Sequence, residues 1–364
     1  MTEKLRITLL VHTKIAVFEW GKSFIDIIKA QAQRKQYTID TVYDAEDVRR
    51  DSVIVILAVD KLWIENALDI IGAQSSRLLL VYGVTNKSYE YISHLAPDQQ
   101  VITQQCLNLL HENGKKRTAF FGLQENDTSD QLKAITFSRN FPDTDVYTVK
   151  GNPNECFDML ISALDKYDSI ICSNDVMAIY LIGRLRSLGI NIPERLELIG
   201  NGNLWLSSHV TPRLTTVSCN YAAVATLALQ ICENLYLFDK LGSINVSIGT
   251  QLIQRESTGA KAVTEATESF SAQKRGEYPT VDSSGFSPEI SDIVRLDRAL
   301  SSFTKNQRTI LKRWIEGASA EQISDEIFIS EDTVKYHLKS IYKLLGIHSK
   351  NELFKLANKY GLTL

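Results

Sequence analysis

Short apolar runs alternate with amphipathic stretches over residues 5–200. Runs of this length bounded by polar residues are typical of buried strands, whereas apolar positions recurring every three or four residues indicate helices. Strands are predicted at Ile7–Val11, Tyr37–Tyr43, Val53–Leu57, Leu78–Tyr82, Thr118–Gly122, Val146–Val149, Ser169–Cys172 and Leu196–Gly200. Helices are predicted at Trp20–Gln33, Leu62–Ile71, Ile102–Glu112, Gln131–Phe137, Asn154–Leu164 and Val176–Leu188. This alternation predicts doubly wound parallel sheets covered by helices, and so many strands suit two lobes better than one.

A different pattern begins near the C-terminus. On a helix after Ser330, an apolar stripe is formed by Val334, Leu338, Ile341 and Leu345, with basic and aromatic side chains away from it. Ser330 is a good N-cap residue, and Gly346 is a typical helix end. The pattern predicts a helix with one face for a core and another for an anionic partner.

Two shorter amphipathic segments precede this helix, the first ending at Gly317 and the second capped by Ser319. A short turn at Phe328–Ser330 joins the second segment to the long helix. Two helices joined by such a turn, with a basic face on the second, predict a helix-turn-helix motif. Residues from Leu353 to Ala357 predict a fourth helix that covers the core or meets a second copy.

Residues 303–356 resemble the LuxR-type DNA-binding domain. The shared positions are Thr304, Glu316-Gly317, Ile323-Ser324, Ser330, Thr333-Val334, His337 and Leu344-Leu345-Gly346. The chain departs from the family at Lys305-Asn306-Gln307, where Pro-Arg-Glu is usual, which leaves the cap of the first helix open. By position, the resemblance implies that Lys335, Tyr336 and Lys339 face bases and that Thr333 and Lys343 face phosphates. For any single lysine, a solvated helix face is the alternative.

A second resemblance covers residues 110–259. It rests on Ser173-Asn174-Asp175-Val176-Met177-Ala178, Leu188-Gly189-Ile190-Asn191-Ile192-Pro193, Leu198-Ile199-Gly200, Thr211-Pro212-Arg213-Leu214-Thr215-Thr216-Val217 and Arg255-Glu256-Ser257-Thr258. These segments are similar, in order and spacing, to the effector-binding core of the LacI/GalR family. The resemblance implies a periplasmic-binding-protein-like fold whose two lobes are crossed three times by the chain and close on a small metabolite such as a sugar.

Candidate ligand residues follow the predicted strands, because doubly wound lobes bind ligands at the carboxyl ends of their strands. They are Phe18, Trp20, Asp175, Asn203 and Trp205. By resemblance Asp175 binds ligand hydroxyls and Lys133 takes the place of an arginine. The aromatic residues also suit a core, and Asp175 also suits a helix cap.

One departure from the second family concerns its acidic pair. Where Gly-Phe-Asp-Asp is usual, the chain has Gly200-Asn201-Gly202-Asn203, so both carboxylates are missing and Asn203 is a neutral candidate. The crossover between Tyr43 and Val53 is also short for a covering helix, and the first lobe is expected to be trimmed there. The DNA-binding headpiece that this family carries at its N-terminus is not expected, because the first strand already begins near Leu5.

Composition limits the kind of partner and the cellular compartment that the sequence suggests. The net charge is -3, but residues 298–364 contain eleven Lys/Arg and seven Asp/Glu, so DNA affinity is expected to be local and salt-sensitive. The five cysteines are scattered and form no Cys-x-x-Cys pair, which favours reduced thiols in a cytoplasmic protein over a disulfide frame or metal site. No signal peptide, membrane segment or cofactor is expected.

The predicted organisation is therefore a two-lobed α/β sensor at residues 1–259, a linker at 260–296, and an all-α four-helix DNA-binding domain at 297–364. The linker prediction rests on a composition rich in Ser, Thr, Glu and Gly with few large apolar residues. Because such a tether transmits little torque, coupling would require dimer geometry or direct docking of the domains.

Three functional classes were compared. We expect a ligand-responsive transcription regulator that binds an inverted repeat in double-stranded DNA as a homodimer. A phosphorylation-driven regulator would need adjacent acids after the first strand, where Val11-His12-Thr13 stand instead. An enzyme is not expected, because no set of nucleophile, base and acid can be assembled. The alternative is a transcription factor whose sensor-like domain serves dimerisation or partner binding without a ligand.

Overall fold

The computed structural model describes residues 4–72, 77–85, 91–142, 145–238, 242–260 and 287–363. It confirms the predicted fold class, two α/β lobes with parallel-dominated sheets and a helical C-terminal region. The strands are β1 Arg6–Val11, β2 Thr38–Val42, β3 Val53–Ala58, β4 Leu78–Tyr82, β5 Ile92–Pro97, β6 Thr118–Gln124, β7 Val146–Val149, β8 Ser169–Cys172, β9 Glu197–Asn201, β10 Thr215–Cys219, β11 Asn245–Ile248 and β12 Thr250–Ile253.

The helices follow the predicted amphipathic stretches, with two additions, α7 and α8. They are α1 Glu19–Arg34, α2 Lys61–Ile71, α3 Gln99–Glu112, α4 Thr128–Asn140, α5 Pro153–Ser162, α6 Asp175–Ser187, α7 Tyr221–Leu237, α8 Pro288–Ser302, α9 Lys305–Ile315, α10 Ala320–Ile327, α11 Glu331–Leu345 and α12 Lys350–Tyr360.

Each lobe contains one six-stranded sheet. The first sheet has the order β11-β5-β4-β3-β1-β2 and the second the order β12-β10-β9-β8-β6-β7. All strand pairings are parallel except that between β10 and β12. In a parallel sheet the carboxyl ends of the strands lie at one edge, so the loops after β1, β3, β6 and β8 are brought together between the lobes.

The chain passes between the lobes three times, as expected. The passages follow β5, β10 and β11, because α3 packs with α4 of the second lobe, α7 packs with α1 of the first, and β11 and β12 belong to different sheets. The lobes also touch directly. Lys61 N donates to Asn126 O at 2.7 Å, and Thr128 N donates to Val59 O at 3.0 Å.

Four strands were not predicted, β5, β10, β11 and β12. β5 includes Ser93 and His94, and β11 and β12 are short strands of mixed polarity at the sheet edges, so none forms an apolar run. The short crossover after β2 contains only a single turn of 3-10 helix at Ala45–Asp47, in agreement with the expected trimming. The cysteines are free, and four of the five are buried.

The C-terminal helices form where local signals predict them. Ser319 and Ser330 cap α10 and α11 with their side chains, and Gly346 ends α11 in the left-handed conformation. Helix α9 keeps its N-cap although residues 305–307 differ from the LuxR-type pattern. Thr304 accepts from Gln307 N and the Gln307 side chain accepts from Thr304 N, which is a complete capping box.

Helix α8 changes the expected relation between the domains. The predicted linker lies outside the described residues from 261 to 286, and its last part, from Pro288 onward, is the first part of α8. Both α8 and α12 pack against α6 of the second lobe, and their apolar residues join one buried cluster with those of that lobe. The DNA-binding region is therefore docked on the sensor.

Candidate ligand cleft and DNA-binding surface

A cavity of about 600 Å³ lies between the lobes. Its walls come from the loops after the first, third, sixth and eighth strands, together with the starts of α3 and α7. Such a concave site with mixed apolar and polar walls is the usual place for a small ligand. We call it the interlobe cavity.

One wall of the interlobe cavity is aromatic. Trp20 stacks on Tyr221, with ring centroids 5.7 Å apart, and meets Tyr82 edge-on at 5.0 Å. Phe18 extends this wall. Tyr82 has a φ of +66°, a left-handed conformation that costs an aromatic residue about 1–2 kcal/mol. Backbone strain of this kind is concentrated at functional sites, where the surrounding structure holds the side chain in place.

Some buried polar atoms of the wall have no hydrogen-bond partner in the described part of the chain. His12 Nδ1 and Gln99 Oε1 make no hydrogen bond to any described residue, although both side chains are more than nine-tenths buried. Burial lowers the pKa of His12, although Asp60 opposes the shift, so the ring is neutral and can accept or donate one bond. An unpaired buried polar atom costs about 1–3 kcal/mol, which a ligand hydrogen bond would recover.

The more buried charged groups of the cavity wall are satisfied within the protein. Asp60 and Asp127 cap α2 and α4, accepting backbone bonds from Trp63 and from Ser129 and Asp130. Burial, helped by nearby Asp130, raises the pKa of Asp127 to about 6. Lys133 is buried, with its Nζ 3.0 Å from Asp130 Oδ1 and 2.5 Å from Ser173 O. Lys133 therefore lies in the wall but is held by the second lobe.

Asp175 is likewise engaged. Its Oδ1 accepts from Thr216 Oγ1 at 2.6 Å, and its Oδ2 accepts from Leu204 N at 2.9 Å and Ser207 Oγ at 2.5 Å. Burial raises the pKa of Asp175, although these bonds oppose the shift. The cap of α6 is provided by Asn174, which accepts from Met177 N, and not by Asp175. Asp175 therefore holds the loop after β9 against the cavity wall.

The structure separates two of the six ligand candidates from the others. Phe18, Trp20, Lys133 and Asp175 line the interlobe cavity, and Asn203 and Trp205 do not. The amide oxygen of Asn203 accepts from Arg255 Nη2 at 2.9 Å. The Trp205 ring stacks on His209 at 3.4 Å, and the Arg308 guanidinium of α9 lies 5.3 Å from its centre. Trp205 thus faces the DNA-binding region because the loop turns back from the cavity after Leu204.

The basic face of α11 is exposed. Val334, Leu338, Ile341 and Leu345 are buried as the stripe predicts. Lys335, Tyr336, Lys339 and Lys343 are exposed, and Tyr336 is 71% exposed. Thr333 is partly buried, with its hydroxyl 2.7 Å from Ser330 Oγ. Lys335 pairs with Glu331 one turn earlier at 2.7 Å. The five DNA-binding candidates thus lie together on or beside one exposed face, and their role remains a prediction.

Sequence reasoning missed Tyr82, Gln99 and Tyr221. Tyr82 ends a predicted strand, so the rule that strand ends line the cleft would have found it. Gln99 and Tyr221 begin helices directly after interlobe passages, and two unpredicted strands, β5 and β10, precede them. Their position became visible only with the topology.

None of the helices in the described part of the chain is long and apolar enough to cross a membrane. Within the same part of the chain, no cluster of three or more His, Cys, Asp or Glu side chains could hold a metal ion.

Two family models match the chain. The model of bacterial regulatory proteins of the luxR family matches residues 301–357, and the periplasmic binding protein-like domain matches residues 107–258. The chain joins a periplasmic binding protein-like domain to a luxR-family DNA-binding domain. The first match covers α9 to α11 and most of α12, and the second covers the second lobe together with α7 and β11, so α8 lies outside both except for its last two residues.

Curated relatives include the uncharacterised HTH-type transcriptional regulator YvdE of Bacillus subtilis, 23% identical over 188 residues, which are 50% of this chain and 58% of that protein. The HTH-type transcriptional repressor PurR of Vibrio vulnificus is 40% identical over 74 residues, 20% of this chain and 22% of the repressor. The chain thus spans about half or less of the length of these relatives.

Solved structures share the fold. The transcription regulator CcpA of Lactococcus lactis superposes with a TM-score of 0.57 at 16% identity, covering 70% of this chain and 99% of that one. A CelR–cellobiose complex superposes with a TM-score of 0.59 at 12% identity, covering 71% and 86%. At these identities the likeness concerns the fold of the two lobes.

Proposed function

We propose that the protein is a transcription regulator that binds double-stranded DNA through α11 and a small neutral metabolite in the interlobe cavity. The observation that carries the ligand half is the pair of unpartnered buried atoms, His12 Nδ1 and Gln99 Oε1, beside a strained aromatic wall. The observation that carries the DNA half is the exposed basic face on a capped second helix of a luxR-family domain. The relatives are named as transcriptional regulators, which supports the same role.

The chemistry of the cavity favours an uncharged ligand. Its buried carboxylates and Lys133 already have partners, so a charged ligand would have to displace internal bonds to pair with them. The other charged lining residues, Lys14, Glu125 and Lys150, are exposed to solvent, where an ion pair contributes little. An aromatic wall suits a ligand with a flat or apolar face, and the unpaired atoms suit hydroxyl or amide groups. Neutral sugars have both properties. The fold neighbour that was crystallised with cellobiose supports testing them first.

A thermal-shift screen against neutral sugars, sugar phosphates and nucleobases tests the ligand half. A ligand at a hundred times its dissociation constant should add about 2.7 kcal/mol of stability. Trp20→Leu should abolish the shift, whereas Phe141→Leu, an aromatic change outside the cavity wall, should preserve it. If no compound in these classes shifts the protein, the sensor-like domain serves dimerisation or partner binding instead.

Selection of bound duplexes from a random-sequence pool tests the DNA half. We expect the enriched sites to be inverted repeats, since we propose a homodimer. Affinity for the selected site should fall steeply with salt because Lys335, Lys339 and Lys343 would neutralise phosphates or contact bases. Enrichment of single half-sites would contradict the dimer while preserving DNA binding.

A further inference from the structure

Helix α8 belongs to the docked C-terminal region and also lines the interlobe cavity. Ser287, its N-cap, and Ile290, in its first turn, are both part of the cavity wall. They lie there with Pro153 and Met177 of the second lobe. A ligand in this cavity would therefore contact a helix that continues directly into the DNA-binding domain.

Polar contacts fix α8 to the second lobe along its length. Near its start, Asn154 Nδ2 donates to Glu289 Oε1 at 3.2 Å, and Tyr360 Oη of α12 donates to Glu289 O at 3.3 Å. Further along, Leu206 N donates to Asp297 Oδ1 at 2.9 Å. Asp297 is 5% exposed, so this bond lies inside the interface between the lobe and the DNA-binding domain.

The same helix also touches the first lobe. Val17 and Phe18 pack against the apolar cluster that contains the α8 side chains, and α8 packs beside the start of α1. Glu19 at that start is close enough to Asp297 for their charges to interact. Because α8 contacts both lobes, a change in the angle between the lobes must change the contacts of α8.

A loop at residues 201–209, the connecting loop, joins the cavity to α8. On its cavity side, Asp175 holds Leu204 and Ser207. On its other side, Asp297 accepts from the backbone N–H of Leu206, which precedes Ser207 in the chain.

Two further contacts tie the same side of the connecting loop to the DNA-binding domain. Arg308 of α9 lies over Trp205, and Thr363 N donates to His209 O at 2.8 Å. The connecting loop is thus bonded to the Asp175 carboxylate on its cavity side. On its other side it contacts α8, α9 and the segment after α12.

We infer that α8 is a shared wall of the ligand site and that the connecting loop couples the interlobe cavity to the docking of the DNA-binding domain. This inference rests on the proposed ligand-sensing function and concerns how α8 joins the two matched domains. The buried bonds of Asp175 and Asp297 form one hydrogen-bonded unit through the connecting loop. A ligand that moves α8 or Asp175 changes the free energy of docking, which is the requirement for coupling between two sites.

Docking leaves the DNA-binding face open. Lys335, Tyr336, Lys339 and Lys343 are exposed in the docked arrangement, so docking does not cover the face predicted to bind DNA. Coupling through α8 would instead set the position of α11 relative to the lobes, and hence to a second copy. A dimer that binds two DNA half-sites depends on the spacing between its two copies of α11.

Hydrogen–deuterium exchange on the full-length protein without ligand tests the coupling. Asp175→Leu removes the acceptors on the cavity side of the connecting loop, and we expect the amides of α8 to exchange about tenfold faster, because one buried hydrogen bond corresponds to about a tenfold change in an opening equilibrium. In the reverse direction, Asp297→Leu should speed exchange in the connecting loop and in the first turn of α6. Asp297→Asn, which keeps the accepting oxygen, should restore slow exchange.

Lys35→Gln is the matched control, since it breaks an ion pair with Glu233 at 2.5 Å far from the route and should leave α8 unchanged. If Asp175→Leu does not fold, Ser207→Ala removes one donor from the same carboxylate and should show a smaller acceleration in α8. Unchanged exchange in α8 with faster exchange in the connecting loop would overturn the coupling. Because the experiment uses no ligand, a failed thermal-shift screen would overturn ligand sensing while leaving this result intact.

Discussion

The interlobe cavity and the exposed face of α11 use charge in opposite ways. On α11, Lys335, Lys339 and Lys343 project into solvent. In the cavity, Lys133 and Asp175 are almost completely buried and already bonded within the protein. A charged side chain on an exposed helix face is free to meet an external phosphate. The same type of side chain in a cavity wall instead supports the wall, because an unpaired buried charge is costly.

Removing the Asp175 carboxylate tests this contrast between the cavity and α11 most directly. Asp175→Ala would leave Leu204 N without an acceptor and remove the partner of two hydroxyls, and we expect a loss of about 3 kcal/mol in the free energy of unfolding. Urea denaturation checks this value. Asp165→Ala, at a fully exposed position, is the matched control and should change stability by less than about 0.5 kcal/mol. If Asp175→Ala lowers the free energy of unfolding only slightly but abolishes the ligand response, Asp175 binds the ligand directly.

The DNA-binding face is tested by two lysine variants on one helix. Lys339→Ala should weaken binding to the selected duplex by about 2 kcal/mol if the side chain contacts a base edge. Lys335→Ala should cost less, because Lys335 must first give up its ion pair with Glu331. Fluorescence anisotropy at several salt concentrations checks both values. Equal, negligible effects would assign both lysines to a solvated helix face.

Asp297 lies between the cavity and the DNA-binding domain, and its ionisation is expected to make the stability of the protein depend on pH. Burial, with the nearby charges of Glu19 and Asp175, raises the pKa of Asp297 to about 7, and Lys22 pairs with Glu19 at 3.3 Å. Between about pH 4 and pH 7 the folded protein therefore keeps a proton that the unfolded chain has lost, so stability falls as pH rises.

The Asp297 contribution is separable by substitution. The stability of the unchanged protein minus that of Asp297→Asn should fall as pH rises, by at most about 1.4 kcal/mol per pH unit, because only the unchanged protein has the titrating group. Urea unfolding of both proteins at pH 5, 6, 7 and 8 measures it. Asp127 and Asp175 titrate in both proteins and cancel. A difference that does not vary with pH would place the Asp297 pKa near its ordinary value.

The smallest expected effect is local to α11. Ser330→Ala removes the side-chain cap on Thr333 N and should cost about 1 kcal/mol of stability. Ser330→Asp, which keeps a capping oxygen, should preserve stability in thermal denaturation. A loss confined to DNA affinity, with stability unchanged, would mean that Ser330 and Thr333 act at the DNA backbone and not as a cap.

Local signals in the sequence determined most of the elements and both domain types. The strands Val146–Val149 and Ser169–Cys172 were predicted with the bounds that the structure has, because an apolar run bounded by polar residues is a property of a few consecutive positions. The stripe and caps of α11 are equally local. Helix α8 was not predicted, since its start falls in a stretch of linker composition, although Ser287 and Pro288 are a good N-cap and first helical residue.

Only the tertiary structure decided what the candidate side chains contact. The sequence placed Asp175 and Trp205 after neighbouring strands, but the partners of Asp175 are about thirty to forty residues away in the chain, and Trp205 meets Arg308 across the domain interface. Hydrophobic period and capping operate within about one helical turn. The pairing of a buried polar group instead depends on how distant elements pack, and that packing bonds Asp175 to the loop that reaches the DNA-binding domain, while its role toward a ligand stays a prediction.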